Sequence, residues 1–266
     1  MSGSAAPWRA APLALLALAW AGPAPAAGAR CWIDHGALVA AAAFGDIAGD
    51  FLIDLAAPHS LLQESRALAD GVETPTLTRD LVVAGRRVAA VEMTVQSLDA
   101  RTRHFDTDIN GVIGADVLGR YVVDLDPGAD CRFSLSDPAA RLARPPRGAV
   151  SLPVTVVGGR PLVEATLTDG ARIRPGLFAL GTADWRTVIA GARLSRSPPE
   201  GAAAPARLRG VEVAGRLFEQ VPAVTAPASG DEAHGAIGLS VWSRWRLRLD
   251  PAAGRLDLTP LDPGDP

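Results

Sequence analysis

The stretch FLIDLAAPHSLL, residues 51–62, combines the pattern of a buried strand with a single acid, Asp54. Apolar residues precede Asp54, whereas small residues and Pro58 follow it, so the acid stands where a strand ends. Burying an isolated charge is costly unless the charge is paired. The stretch therefore raises the question of which residue elsewhere in the chain faces Asp54.

Two later segments share one pattern. They are GVIGADVLGRYVVDLDP at residues 111–127 and GAIGLSVWSRWRLRLDP at residues 235–251. Each contains Gly-x-Ile-Gly, a short helix-like stretch, an arginine followed by an aromatic residue, and a strand ending in Leu-Asp-Pro. Each then enters a turn and an alternating strand. Two such matches in one chain indicate an internal duplication.

A duplicated chain should also repeat its front part. FALGTADWRTVI, residues 178–189, aligns with residues 51–62 without a gap. Phe51 then corresponds to Phe178 and Ser60 to Thr187. In this register the residue opposite Asp54 is Gly181, which has no side chain.

The organisation that follows is all-β, with two similar lobes. Short runs rich in Val, Leu and Thr are separated by glycine turns, and helical periodicity is scarce, the best candidate being residues 61–69. We expect a signal peptide at residues 1–29, an N-terminal lobe at 30–136, a linker at 137–150, a C-terminal lobe at 151–259 and a tail at 260–266.

Composition limits the classes of function. The chain has 266 residues, 48% of them hydrophobic, and a formal net charge of −3 with arginine as its only basic residue besides histidine. This charge gives no basic surface for nucleic acid. No cofactor is predicted, and we expect a monomer.

The N-terminal residues predict export. Arg9 precedes an apolar run at residues 13–20, and Ala-Gly-Ala at 27–29 offers a cleavage site for a secretory signal peptide. An uncleaved anchor is the alternative, but the run is short for spanning a bilayer, so we expect no stable membrane insertion after cleavage. The expected location is periplasmic or secreted. There Cys31 and Cys131 would form a disulfide; two separate buried thiols are the alternative.

With these features the chain resembles the aspartic proteases of the pepsin and retropepsin kind, particularly exported bacterial ones with two retropepsin-like lobes. The resemblance rests on Asp54-Leu55-Ala56-Ala57 and Gly181-Thr182-Ala183-Asp184, each followed by an apolar-Gly element and a closing strand. It implies two β-barrel lobes facing each other across a substrate cleft. It also implies a hairpin flap, which we place at residues 81–95.

The resemblance implies a degenerate active site. Proteases of this kind use one Asp from each lobe, and the two carboxylates share a proton. Here Asp54 occupies one position and Gly181 the other. The family's threonine is replaced by Leu55 in the first loop and survives as Thr182 in the second, and its glycine is replaced by Ala56 and Ala183.

Asp184 is the alternative partner for Asp54. It lies three residues past Gly181, where we otherwise expect a polar turn residue or a helix N-cap. The leading hypothesis is a pseudoprotease that binds a peptide or protein in the cleft between the lobes. An active endopeptidase with the unconventional pair Asp54 and Asp184, and a structural envelope protein without a ligand, are the alternatives.

One further group of side chains is a candidate metal site. In HFDTD, His104, Asp106 and Asp108 would lie on one side of an extended strand, as in sites for hard cations or zinc. A solvated strand or loop is the simpler interpretation, so no metal is predicted.

Overall fold

The fold is described from a computed structural model, which covers residues 28–138, 144–190, 204–226 and 233–261. Residues 1–27 of the predicted signal peptide, part of the predicted linker and most of the predicted tail lie outside these ranges.

The first half contains nine strands and three short helices in the described residues. In chain order these are β1 (Ala29–Asp34), β2 (Ala37–Phe44), β3 (Ile47–Ile53), β4 (Leu61–Gln63), α1 (Glu64–Ala69), β5 (Thr76–Val83), β6 (Arg86–Gln96), α2 (Asp99–Thr102), β7 (Ile109–Ile113), α3 (Ala115–Leu118), β8 (Val122–Asp126) and β9 (Arg132–Ser136).

The second half contains ten strands and one short helix in the described residues. They are β10 (Val150–Pro153), β11 (Thr155–Val157), β12 (Arg160–Thr168), β13 (Ile173–Leu180), β14 (Thr187–Ala190), β15 (Ala204–Val213), β16 (Arg216–Ala226), β17 (Gly235–Ile237), α4 (Leu239–Trp242), β18 (Trp245–Asp250) and β19 (Arg255–Pro260).

Each half forms a closed six-stranded barrel, and the two barrels have the same strand order. The first is β2-β3-β7-β4-β6-β5, closed by pairing of β2 with β5. The second is β12-β13-β17-β14-β16-β15, closed by pairing of β12 with β15. In each, the strand that leads to the Asp54 or Gly181 position pairs in parallel with the strand of the Gly-x-Ile-Gly segment. The prediction of an all-β fold with two similar lobes is confirmed.

Six further strands join the lobes. They continue the sheet of the first barrel beyond β2 in the order β1-β9-β8-β18-β19-β10, in which β8 from the first half pairs antiparallel with β18 from the second. Arg248 on β18 is 3.2 Å from the Asp124 carboxylate on β8, and Leu125 and Leu247, which are paired across the two strands, are buried in the main core. The closing strands of the two repeats therefore meet in one continuous sheet.

The repeated Gly-x-Ile-Gly segment owes its second glycine to close packing. A Cβ on Gly114 would lie 2.7 Å from the carbonyl carbon of His59, and one on Gly238 would lie 2.4 Å from the carbonyl oxygen of Arg186. Both glycines have ordinary extended backbones. Space, rather than unusual dihedral angles, thus requires glycine directly before α3 and α4.

The two tryptophans at α4 lie in the core. Trp242 and Trp245 are both buried, and the indole N–H of Trp242 donates a hydrogen bond of 2.7 Å to the carbonyl of Ile237. Trp245 packs edge-on against Phe218 of β16. These large side chains attach the closing strand of the second lobe to its barrel.

Some local expectations differ from the structure. The helix expected at residues 61–69 begins only at Glu64, because Leu61 to Gln63 pair with β6 and β7 as strand β4. Strand β1 begins at Ala29, β10 begins at Val150 and β19 extends to Pro260, each one residue beyond a predicted lobe boundary.

The hairpin expected to be a flap does not line the cleft described below. The β5–β6 hairpin is part of the wall of the first barrel, because β5 also pairs with β2. Near its turn, Arg86 forms an ion pair with Asp137 and lies over the ring of Tyr121. The segment after β6, residues 97–105, approaches Asp54 instead.

None of the four short helices in the described part of the chain has the length and apolar character that crossing a membrane requires. A disulfide joins Cys31 on β1 to Cys131, directly before β9, across 100 positions of sequence.

Breaking this disulfide is expected to destabilise the protein. Releasing a loop of this size increases the entropy of the unfolded chain, so reduction should lower the free energy of unfolding by about 3–5 kcal/mol. Urea denaturation with and without reductant measures the loss. A Cys31→Ala/Cys131→Ala variant should be as unstable as the reduced protein and insensitive to reductant; an unchanged midpoint on reduction would contradict the expectation.

Candidate functional site

The loops that carry Asp54 and Gly181 occupy equivalent places in the two barrels. The Asp54 amide donates a hydrogen bond to the carbonyl of Ile113 at 3.0 Å, and the Gly181 amide donates one to the carbonyl of Ile237 at 2.8 Å. Further along, Ser60 Oγ accepts from the Gly114 amide, as Thr187 Oγ1 does from the Gly238 amide. The gapless alignment therefore describes equivalent backbone positions.

The two loops are braced together from one side. Thr182 Oγ1 donates a 2.6 Å hydrogen bond to the carbonyl of Ile53 and accepts a 3.1 Å hydrogen bond from the amide of Leu55. Thr182 is fully buried, so both bonds are shielded from water. The corresponding side chain of the first loop is Leu55, which is buried but has no hydroxyl to return the contact.

Arg101 neutralises the carboxylate of Asp54. Asp54 is buried, and its Oδ1 accepts a hydrogen bond from the Ala56 amide at 3.0 Å. Its Oδ2 accepts a 2.6 Å hydrogen bond from the guanidinium of Arg101 on α2. Arg101 comes from the same lobe, so the charge partner of Asp54 does not come from the Gly181 loop.

Gly181 leaves little room for a restored side chain. A Cβ at this position would lie 2.9 Å from the carbonyl oxygen of Ile237 and 3.4 Å from the Cβ of Ala236. The backbone of β17 has thus closed against the position that would bear the second acid, and an aspartate there would require the backbone to move.

Asp184 lies in the cleft, and its carboxylate is paired with the side chain of Arg186. Its carboxylate accepts hydrogen bonds from the Arg186 side chain at 2.8 and 3.0 Å and from the Arg186 amide at 2.8 Å. Burial raises the pKa of the Asp184 carboxyl, but the hydrogen bonds from Arg186 and the nearby charge of Arg101 outweigh it, so the net pKa is lowered. Its backbone carbonyl accepts from the amide of Leu239, as that of Ala57 does from Ala115.

A cleft of about 780 Å³ lies between the lobes. Residues from both lobes line it, including Asp54, Ala56, Gly181, Ala183 and Asp184. A neighbouring cavity of about 490 Å³ shares Asp54, Ala56 and Arg101 with the cleft and adds Ala57 and His59. The loop residues indicated by the sequence, except the two buried braces Leu55 and Thr182, therefore line these two cavities.

Other cleft residues could not be assigned from sequence. Arg101 and Arg103 lie between a predicted strand and the HFDTD stretch, and Phe105 lies within that stretch; none of the three belongs to a recognisable motif. Their approach to Asp54 depends on the path of the chain after β6. The turn residue His35 also lines the cleft; its only sequence signal was Asp-His-Gly before an apolar run, which is typical of a hairpin turn.

The three polar residues of HFDTD do not act as one group. Asp108 forms an ion pair with Arg66 at 2.5 Å, and the ring of His104 stacks on that of Phe105. Asp106 instead faces His35 and Asp34 of the β1–β2 hairpin.

The architecture and the apposed loops define a bilobal protein with the fold of pepsin-like aspartic proteinases. Among solved structures, the chain is similar to the aspartic proteinase from Irpex lacteus, with a TM-score of 0.51 and 11% sequence identity over 88% of this chain and 97% of that one. At this identity the likeness shows the fold alone. No family model matches the sequence, and the search of curated proteins found no match.

Removing the Thr182 hydroxyl is expected to weaken the contact between the lobes. Thr182→Val keeps the shape but leaves the Leu55 amide and the Ile53 carbonyl without their partner, which should lower the free energy of unfolding by about 2–4 kcal/mol. Urea denaturation measures this loss. Thr155→Val, at an exposed strand position, should change it by less than about 0.5 kcal/mol; equal effects would show that the brace contributes nothing specific.

The lowered pKa of Asp184 predicts a pH-dependent stability. A carboxyl with a lowered pKa stabilises the fold above its ordinary value of 3.8 and loses this contribution as the pH falls through the folded pKa. Asp184→Asn should thus be less stable than wild type by up to about 1 kcal/mol near neutral pH. The gap should narrow at about pH 3, because this pH lies below the ordinary pKa and approaches the lowered pKa of the folded protein.

Urea denaturation at both pH values measures this difference. Asp46→Asn, which removes an exposed carboxylate in the β2–β3 turn, should show no such change with pH. A constant gap for Asp184→Asn would mean that the ionised pair with Arg186 is not its cause.

Proposed function

We propose that this protein is an exported pseudoprotease that binds a peptide or an extended protein segment in the cleft between its lobes. The observation that carries the proposal is the pairing of Asp54 with Arg101, opposite a glycine where the second acid would stand. The site retains the position and shape of a protease cleft but has a different charge arrangement at its centre.

The chemistry of proteolysis lacks a proton donor in this arrangement. Two carboxylates that share a proton supply both a base for water and an acid for the peptide carbonyl. The group bound to Asp54 is a guanidinium, which keeps its protons in proteins. The Asp54 carboxyl is held by Arg101 and by the Ala56 amide, and the equivalent residue Gly181 has no carboxyl with which it could share a proton.

The alternative pair, Asp54 with Asp184, meets the same difficulty. Asp184 is held by three hydrogen bonds from Arg186, and its pKa is lowered. A carboxyl that stays ionised is a poor proton donor, and each of the two aspartates already has its own arginine. This arrangement favours the binding function over an active endopeptidase.

The cleft nevertheless has the size of a binding site. About 780 Å³ lies within the range of about 300–1,000 Å³ that is typical of ligand pockets. Its walls combine apolar surface from Phe105, Trp185 and Val188 with charged groups. This mixture supports a ligand that offers both apolar side chains and polar backbone, in preference to a structural protein without a ligand.

The charges in the cleft favour an acidic ligand. Three arginines, Arg101, Arg103 and Arg186, face two aspartates, Asp54 and Asp184, although the whole chain carries a formal charge of −3. Two of the arginines are partly neutralised by ion pairs, and Arg103 is exposed. Complementary charge raises the rate of encounter and excludes ligands of the wrong sign.

Export and a monomeric state are part of the same proposal. The Cys31–Cys131 disulfide suits an oxidising compartment. The predicted signal segment has the apolar run and the small-residue cleavage site of secreted proteins. These two features together support a periplasmic or secreted location.

The proposal is tested by measuring cleavage and binding on the same preparation. The protein is incubated with an unfolded substrate protein from about pH 3 to about pH 7, the range in which such carboxylates titrate, beside Asp54→Ala. We expect no cleavage that depends on Asp54. Fluorescence polarisation then measures binding of two labelled peptides that share a Val-Leu-Phe core and differ only in Glu or Lys flanks, and the Glu peptide should bind more tightly.

A variant that fills the cleft tests where the peptide binds, and a surface variant serves as its control. Ala56→Trp should weaken peptide binding by about tenfold or more, or about 1.4 kcal/mol, because Ala56 lines both cavities. Ala89→Trp, on the exposed face of β6, should leave binding unchanged. Cleavage abolished by Asp54→Ala would establish the endopeptidase instead, and absence of saturable binding would favour the structural protein.

A further inference from the structure

We propose that Asp34, His35 and Asp106, at the rim of the cleft, form a binding site for a divalent transition-metal cation of the zinc class. One ligand atom from each side chain lies within 4.8 Å of the other two. Asp34 and His35 come from the β1–β2 hairpin, whereas Asp106 comes from the loop after α2. The sequence suggested no metal because these residues are separated by some 70 positions and His35 belongs to no metal-binding spacing.

The spacing of the ligand atoms suits a tetrahedral metal. His35 Nε2 lies 3.5 Å from an oxygen of Asp106 and 3.7 Å from an oxygen of Asp34. Metal–ligand distances of 2.0–2.2 Å in a tetrahedral zinc site separate neighbouring ligand atoms by about 3.3–3.6 Å. Both distances are longer than an ordinary hydrogen bond of about 2.7–3.2 Å. The imidazole nitrogen therefore lies near two carboxylates without a hydrogen bond to either.

Asp34 and His35 are held in place before any cation binds. Asp34 is 8% exposed, and its second oxygen accepts a 3.1 Å hydrogen bond from the Asp106 amide. The first oxygen, 3.7 Å from His35 Nε2, is thereby oriented toward the other two ligand atoms. A carboxylate whose second oxygen is bound to the backbone of another ligand residue is typical of metal sites, since outer contacts orient the ligands.

The surroundings of His35 also restrict its position. Its backbone φ is 44°, as required by a tight turn completed by Gly36. A Cβ on Gly36 would lie 2.3 Å from the Cβ of Trp185, so the turn is packed directly against the second lobe. The ring of His104 meets that of His35 edge-on at a centroid distance of 5.7 Å. The ring of Phe105 also meets that of His35 edge-on, at 6.3 Å, so two aromatic rings adjoin the half-exposed imidazole.

The donor set indicates the class of cation. One imidazole nitrogen with two carboxylate oxygens suits zinc and its neighbours, whereas calcium and magnesium prefer sites built only of oxygen. Three protein ligands leave a fourth position for water or for an acidic group of a bound molecule. His35 also lines the cleft, so the cation would stand beside the proposed peptide site. The inference does not rest on peptide binding or on catalysis.

Calorimetric titration of the untagged, chelator-treated protein with Zn²⁺ tests the site. We expect saturation at one equivalent. Asp106→Asn and His35→Ala should each weaken binding by about tenfold or more. The matched control is Asp108→Asn, which removes the same charge from the same loop but affects a residue paired with Arg66; its affinity should equal that of wild type.

A spectroscopic measurement separates a built site from adsorption. Co²⁺, which takes tetrahedral coordination with visible absorption, should give a saturable absorption band in wild type and in Asp108→Asn but not in Asp106→Asn. Excess Ca²⁺ should not remove the band. Absence of saturable Zn²⁺ binding, equal weakening in the Asp106 and Asp108 variants, or displacement by Ca²⁺ would each overturn the proposal.

Discussion

The hydroxyl of Thr182 bonds to the backbone on both sides of Asp54, in the opposite lobe, and thereby sets the positions of the two central loops. A buried hydroxyl with both a donor and an acceptor partner is costly to separate from them, since each partner would be left unsatisfied. The brace is one-sided because the equivalent residue of the first loop, Leu55, has no hydroxyl. The two hydrogen bonds of Thr182 are nevertheless enough to hold the loops together.

The charge arrangement around Asp54 follows from that geometry. Gly181 has no side chain that could contact the Asp54 carboxylate. Arg101 on α2 binds this carboxylate instead. Asp184 is paired with Arg186 in the same way. Two arginine–aspartate pairs therefore line the centre of the cleft, and each of these carboxylates is held by a cationic side chain.

The rim of the cleft adds a feature that is independent of this centre. The β1–β2 hairpin brings His35 and Asp34 to the loop that carries Asp106, and packing of Gly36 against Trp185 fixes the hairpin to the second lobe. A cation at this point would lie between the first-lobe loop and the cleft. The segment from α2 to Asp106 therefore contributes both to the neutralisation of Asp54 and to the proposed metal site.

The sequence by itself determined the repeated elements. The gapless match of residues 51–62 with 178–189 and the two Gly-x-Ile-Gly segments predicted two similar β-lobes, because each repeat encodes its own strand pairing and its own close packing against glycine. Only the tertiary structure decided what faces Asp54. Arg101, His35 and Asp106 belong to turns and a short helix with no periodic signal, and their positions depend on long-range pairings, such as that of β5 with β2, which no local pattern specifies.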